Sequence, residues 1–506
     1  MSNTNRKKVV LVILDGWGIG PKDSSNPIYT AGLKNIAYIK ENFPSVTLQA
    51  SGLAVGLPWA EEGNSEIGHL TIGAGRTVYQ SAARISMAIN DRSFFDNPVL
   101  LWAMNEAKKN GKAVNFAGLL GTGITHSSFK HLQALITMAD SVGVPYKLHL
   151  MTDGRDSDPK ACLDLIRSLP IEKIGSVGGR FFGMDRDGHA DRTEKAFLAI
   201  TGQVRPETVS PADYMEANYA KGITDEFIRP ACFSPDTLSV SQGDSIIFFN
   251  FRSDRMRQIS KMLAEKMGGQ AIAGFTRYDE SFPIPYAFSF EKIGNSLSSV
   301  IADAGLSQLH IAESEKQAHV TYFFNGEQEE PLPREFRIII PSRNVASHDK
   351  YPEMMAEEIT TRVMTAIEEG LYDFILVNYA NADIVAHTGN FDATVSAVRF
   401  LDEKIGALVE AAVKTDTVLL ISADHGNAED LLDIQTGEKD TRHNPNPVPL
   451  YIVDEKMRRP RPISETEESE RFMAGTLCDI APTVLELMDI QKPAEMTGQS
   501  IIPLIS

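Results

Sequence analysis

Short runs of Val, Ile, Leu and Phe alternate along this chain with longer stretches in which apolar residues recur every three or four positions. Runs that stay apolar and then turn abruptly polar suit parallel strands covered on both faces, and the longer stretches suit crossover helices. The pattern predicts strands at VVLVILDG (9–16), VNFAGLLG (114–121), YKLHLMTDGRD (146–156), SIIFFNFRSDR (245–255), FILVNYANAD (374–383), TVLLISADHG (417–426) and VPLYIVDE (448–455). It predicts helices over 351–370, stopped by Gly370, and over 392–414; the acidic SETEESE (464–470) reads as a solvated loop or a helix start. The fold class is therefore α/β with a doubly wound sheet, in which ligands bind just beyond the carboxyl ends of the strands.

Polar residues at those strand ends are of two chemical kinds. Toward both chain ends they are Asp and His, and between about residues 114 and 255 they are Arg and Asp. A chain of 506 residues exceeds one ordinary core. The split predicts a metal-bearing domain built from 1–79 and 291–506, with a second α/β domain, 80–290, inserted to bind substrate.

Asp15 closes the first strand in DGWG, and NADIVAH places Asp383 and His387 four residues apart, on one face of a helical turn. ADHGN pairs Asp424 with His425 at a strand end, and TRHNPNPVP sets His443 in a loop stiffened by Pro445 and Pro447. Singly, each has an ordinary reading as a cap or a satisfied polar residue. Together, three Asp and three His at the tips of one sheet are costly to hold without cations. They suit two divalent ions. The donors contain no sulfur, which points to Mn²⁺, Zn²⁺ or Co²⁺. Cys162, Cys232 and Cys478 are too far apart in sequence to suggest a disulfide framework or a thiolate site.

In EEGNSEIGHLTIGAGR (61–76), Ser65 stands just ahead of a helical run, between Asn64 and Glu66. Locally it reads first as a helix cap, the commonest role of Ser ahead of a helical run; the alternative is a nucleophile whose hydroxyl a bound divalent ion would activate.

The net charge of −18 and pI near 5.1 describe a surface that repels nucleic acid and anionic membranes, so neither is an expected partner. No apolar run approaches a membrane span and the N-terminus lacks a cleavable signal, so a cytoplasmic protein is expected. A small phosphorylated substrate would need a local basic cluster, and candidates exist. They are Arg155 in TDGRD, Arg186 and Arg192 in MDRDGHADR, and Arg252 and Arg255 in FNFRSDR. Arginine's planar fork suits carboxylate and phosphate; the alternative for Arg186 and Arg192 is pairing with neighbouring acids.

LDGWG, GNSEIGH, NADIVAHTGN, ADHGNAE and RHNPNPVP resemble, in content and order and almost end to end, the cofactor-independent phosphoglycerate mutases of the alkaline phosphatase superfamily. The resemblance implies an isomerase of glycolysis and gluconeogenesis, independent of 2,3-bisphosphoglycerate, that interconverts 3- and 2-phosphoglycerate through a phosphoserine at Ser65. By the same resemblance Asp383, His387 and His443 hold one manganese ion, and Asp15, Ser65, Asp424 and His425 the other. Lys316 neutralises developing charge, and His126, Arg155, Asp156, Arg186, Arg192, Arg252 and Arg255 bind substrate. Asp156, assisted by His126, moves protons. The resemblance also implies a monomer. Closure about hinges in GRTVYQ (75–80) and SFEKIGNS (289–296) would exclude water. The chain departs from the family where SDGGVHSH becomes GTGITHS, so that Ser128 replaces a histidine. It departs again where Gly188, His189 and Ala190 replace large basic and aromatic residues. A metal-dependent phosphatase or another phosphomutase of the superfamily is the alternative; a hydrolase, however, needs no Arg-bearing insert to retain the leaving alcohol.

Overall fold

The computed structural model describes residues 6–505, apart from 60, 269–270, 283, 290–292 and 434. In chain order its strands are β1 (Val9–Leu14), β2 (Ser45–Gln49), β3 (Val114–Leu120), β4 (Tyr146–Thr152), β5 (Ile174–Gly179), β6 (Ala231–Cys232), β7 (Ser245–Phe248), β8 (Ala271–Gly274), β9 (Gln308–Glu313), β10 (Glu335–Ile340), β11 (Phe374–Tyr379), β12 (Val418–Ser422), β13 (Val448–Val453) and β14 (Met473–Thr476). They fall into two compact units, Met1–Gln80 with Lys292–Ser506, and Ser81–Glu291. Among the described residues no helix is long and apolar enough to cross a membrane.

The first unit holds an eight-stranded sheet in the order β10-β9-β11-β1-β12-β13-β2-β14. β1 runs parallel to both its neighbours, with Leu11 opposite Leu376 and Leu420. Every residue of β1, β11 and β12 is buried, in one core with Ile359 and Val363 of the helix Ala356–Glu369 and Leu401 and Ile405 of the helix Phe391–Lys414. A strand with no exposed face has no alternation, which explains the uninterrupted apolar runs. β9, β11, β1 and β12, four of the five strands in the parallel run that begins at β10, end on one edge of the sheet. The segments leaving that edge carry Lys316, Asp383, Asp15, and Asp424 with His425.

β13 corrects the expectation of a parallel strand, because it runs antiparallel to both β12 and β2. An all-apolar run carries no information about direction. Reversal puts the start of β13, rather than its end, on the edge where β12 finishes, so the loop bearing His443 arrives there while Asp454 lies at the opposite edge. The helix expected from 351 begins instead at Ala356, because Pro352 drives Tyr351 to φ −141° and out of helical space. The acidic SETEESE lies within a complete helix, Ile463–Arg471, whose Glu465 pairs with Arg459 and Arg461.

The second unit holds a six-stranded sheet, β6-β5-β4-β3-β7-β8, parallel except for the β5–β6 pair. Its central strand β3 is buried at all seven positions. β5, IGSVGG, carried no readable strand signal. A Cβ on Gly179 would lie 2.1 Å from the Glu226 carbonyl oxygen, so close backbone approach requires glycine where a strand would ordinarily show an apolar side chain. Of the two expected hinge segments, 75–80 starts at Gly75, in the left-handed region at φ 58°. The other, 289–296, includes 290–292, which lie outside the described residues, as does the expected domain boundary there.

Because β1 carries Asp15 and is fully enclosed, Leu11→Ala will cost about 3 kcal/mol, the usual range for a buried Leu. Urea unfolding followed by circular dichroism measures this, and a loss below about 1 kcal/mol would contradict the assigned packing.

Candidate active site

Ser65 is the first residue of the helix Ser65–Ala74, but the capping task belongs to Asn64, whose side-chain oxygen accepts from the Ile67 N–H at 3.0 Å. That leaves the serine hydroxyl free to face inward. It donates to Asp15 Oδ1 at 3.0 Å, lies 3.0 Å from His425 Nε2, and accepts from Lys316 Nζ at 2.8 Å. The glycine of NSEIGH is needed here too, since a Cβ on Gly68 would lie 2.5 Å from the Asp424 carbonyl oxygen.

Lys316 leaves the end of β9 and is buried. Its three ammonium hydrogens go to Asp15 Oδ1 (2.5 Å), Ser65 Oγ (2.8 Å) and Asp383 Oδ2 (2.8 Å). Burial disfavours the ammonium, but the carboxylates of Asp15, Asp383 and Asp424 outweigh it and hold the pKa well above its ordinary value. The side chain is a fixed positive charge between two groups of acceptors.

The first group is Asp383, His387 and His443. Nδ1 of His387 lies 2.8 Å from the Thr441 carbonyl oxygen and Nδ1 of His443 lies 2.8 Å from that of Gly63. A carbonyl only accepts, so both rings carry a hydrogen on Nδ1 and point Nε2 inward. Those two nitrogens stand 3.0 Å apart, and 3.2 and 3.4 Å from Asp383 Oδ1. Three acceptors converging so closely require a cation, a proton or a metal ion, among them. Asp383 Oδ1 also accepts from Asn427 at 2.8 Å.

The second group is Asp15, Asp424 and His425, all fully buried. Asp424 Oδ1 accepts the backbone N–H groups of Gly16 and His425, whereas its Oδ2 is buried and accepts no hydrogen bond. His425 Nε2 lies 3.5 Å from Asp15 Oδ1 and 3.7 Å from Asp424 Oδ2. Burial pulls the His425 pKa down, but the carboxylates of Asp424, Asp15 and Asp383 prevail and push it up to about 10. In each group the donor atoms lie within 4.8 Å of one another. An orphaned carboxylate oxygen, fixed imidazole tautomers and an N/O donor set without sulfur all fit a divalent ion.

In the second unit a cavity of about 310 Å³ is lined by Arg155, Arg180, Arg186, Arg192 and Arg255, with Phe181, Phe227 and three acids. Arg180 was absent from the sequence candidates. It follows the glycine-rich β5 that hid it; a basic residue at a strand end was the only signal available. It is buried and donates to Asp153 and Asp156, at 2.5 Å each, and to His126 Nε2 at 3.0 Å. His126 therefore carries its hydrogen on Nδ1, which has no partner. Burial, aided by the Arg180 charge, pushes His126 down to about 4.

Arg186 pairs with Asp254 and Arg192 with Asp185, each at 3.2 Å, and Arg192 also stacks on Phe181. Local pairing thus holds for both, although both line the cavity. Arg252 does not line it and lies 3.6 Å from Asp254. Ser128 precedes the helix Phe129–Val142 without a side-chain cap bond, Gly188 has φ 88°, and His189 Nδ1 turns back to Asp185 at 3.0 Å.

The sequence profile of the metalloenzyme superfamily matches residues 7–492. The 2,3-bisphosphoglycerate-independent phosphoglycerate mutase of Moorella thermoacetica is 42% identical over 517 aligned residues, spanning 98% of each chain. Its counterpart from Bacteroides thetaiotaomicron is 41% identical, over 98% of this chain and 99% of that one. The chain belongs to this mutase family. Among solved structures, the phosphoglycerate mutase of Leishmania mexicana, crystallised at low cobalt concentration, superposes with a TM-score of 0.62 at 25% identity, covering 99% of this chain and 98% of that one.

The histidines of this family member give its stability a pH dependence. Burial pushes His126, His131 and His319 down to about 4 and His149 to about 3. Between pH 6.5 and about 4 the unfolded chain binds protons that these rings refuse in the folded state, so stability falls as pH drops through that window. His425, raised, acts with the opposite sign above pH 6.5. Urea midpoints of chelated protein will therefore decline steadily from pH 6.5 to 4.5, and less steeply in His131→Gln; a midpoint flat across that range contradicts the neutral buried rings.

Proposed function

We propose that this protein interconverts 3-phosphoglycerate and 2-phosphoglycerate through a phosphoserine at Ser65, with two manganese ions bound. The observation that carries this reading is the Ser65 hydroxyl, held at a helix N-terminus by Asp15, His425 and Lys316, in a chain 42% identical to a named mutase across its length. A helix N-terminus favours an incoming phosphoryl group. A mutase independent of bisphosphoglycerate must carry the phosphoryl group on its own side chain, and this hydroxyl has the environment for it.

Asp383, His387 and His443 would hold one ion, and Asp15, Ser65, Asp424 and His425 the other. Bound there, the ions would supply positive charge to the phosphoryl oxygens and lower the pKa of the serine hydroxyl. Ser65 Oγ forms its bond to phosphorus as the bond to O3 of the substrate breaks, and its hydrogen is directed to Asp15 Oδ1. Lys316 Nζ, 2.8 Å from that oxygen, offsets the negative charge that develops. Arg155, Arg180, Arg186 and Arg255 present the guanidinium groups to hold glycerate by its carboxylate. Asp156 takes the proton from O2 and returns one to O3, while the free Nδ1–H of His126 donates to the substrate. Attack of O2 on phosphoserine then forms the O2–phosphorus bond as the Oγ–phosphorus bond breaks, and the hydrogen passed to Asp15 Oδ1 returns to Ser65 Oγ. Retaining glycerate through both steps is what separates this reaction from hydrolysis.

Purified protein given 3-phosphoglycerate without bisphosphoglycerate will form the 2-isomer, will lose that activity on chelation, and will regain it with manganese. Ser65→Ala will turn over at less than roughly a thousandth of the wild-type rate while still binding divalent ion. Isomerisation by Ser65→Ala, or release of inorganic phosphate in excess of isomer, would overturn the proposal.

A further inference from the structure

Asn378 interrupts the otherwise apolar β11, opposite Ile13 of β1, and is fully buried. A polar side chain in such a place is disfavoured unless its bonds serve a purpose. Its amide nitrogen donates to Asp15 Oδ2 at 2.8 Å and to His69 Nε2 at 3.0 Å, while its own Oδ1 has no partner. The amide cannot be reversed, because the Asp15 carboxylate only accepts.

His69 is also fully buried, one helical turn beyond Ser65 on the same helix, so its side chain points back toward that residue. Its Nδ1 lies 2.8 Å from the Ser65 carbonyl oxygen and 3.1 Å from Asp424 Oδ2. Both neighbours on that side are acceptors and the neighbour on the other side is a donor, so the ring is locked with its hydrogen on Nδ1. One imidazole and one amide thus join the Ser65 backbone to Asp15 in a single chain of hydrogen bonds, with the imidazole Nδ1 standing 3.1 Å from Asp424 Oδ2.

We infer that His69 and Asn378 form one positioning unit, which turns Asp15 so that Oδ1 faces the Ser65 hydroxyl and fixes the Asp15–Asp424–His425 donor set. This rests on the reading of Ser65 and the donor groups given above. Neither residue touches the reacting atoms, and the two act through others.

The test is a double-mutant cycle of Asn378→Ala and His69→Asn, read by manganese affinity in calorimetric titration of metal-free protein and by kcat and KM for 3-phosphoglycerate. His69→Asn keeps an amide nitrogen near Nδ1 for the Ser65 carbonyl but removes the acceptor for Asn378, so both changes break the same link. Asn378→Ala will raise the apparent Kd for manganese about 10- to 100-fold and lower kcat by a similar factor, with KM changed less than about threefold. The double variant will be no worse than Asn378→Ala by more than about twofold, because its link is already broken. Wild-type manganese affinity in the single variants, or a double variant in which the two losses multiply, overturns the inference. Ser65→Ala, assayed alongside, separates the two readings: its retained activity would sink the phosphoserine route, whereas the manganese cycle still decides the positioning unit. Circular dichroism and melting midpoints establish that each variant is folded; if Asn378→Ala is not, Asn378→Ser takes its place in the cycle.

Discussion

Three buried carboxylates and three imidazoles cannot share one edge of a sheet without positive charge among them, and that requirement governs the rest of this structure. Asp15, Asp383 and Asp424 are enclosed on every side, so each loses its hydration shell on folding. The penalty is several kcal/mol per ion even after relaxation. Lys316 repays part of it from the end of β9, with all three of its hydrogens engaged. One ammonium cannot also resolve the facing lone pairs of His387 and His443 or the unbonded Oδ2 of Asp424. Those two places are where further cations are needed, and the Ser65 hydroxyl lies against the lysine and His425.

Sheet topology makes the convergence achievable. Neighbouring strands lie about 4.8 Å apart, so residues leaving the ends of adjacent parallel strands start within side-chain reach of one another. β9, β11, β1 and β12 are such neighbours, and the antiparallel β13 adds His443 by entering the sheet from the same edge. The second unit uses the same geometry with opposite charge, for β5, β4, β3 and β7 end next to Arg180, Asp156, His126 and Arg255. Within each unit an outer layer sets the orientation of the inner groups. Backbone carbonyls of Thr441 and Gly63 select the imidazole tautomers, and Asp153 with Asp156 holds the Arg180 fork.

Much of this could be read without coordinates. All seven strands expected from apolar runs are present, and the helix expected over 392–414 occupies Phe391–Lys414. The eight side chains Asp15, Ser65, Lys316, Asp383, His387, Asp424, His425 and His443, noted in sequence as donors, a nucleophile and a charge, lie together in the first unit. The strands β2, β5, β6, β8, β9, β10 and β14 were not expected, and the omissions that bear most on the two sites are of two sorts. β5 and Arg180 were hidden because the close approach of Glu226 demands glycine where the strand pattern should show. Asn378 and His69 were hidden because a single polar residue inside an apolar strand or helix has no signature of its own.

The sequence by itself determined which segments are enclosed strands and which residue types stand at their ends, since both follow from local periodicity and side-chain chemistry. Strand direction, the tautomers of His69, His387 and His443, and the Asp424 oxygen left without a hydrogen bond were decided only in the tertiary structure. Each depends on which acceptor or donor from a distant part of the chain comes within 3 Å or so, the range over which a hydrogen bond forms. No window of sequence contains that information.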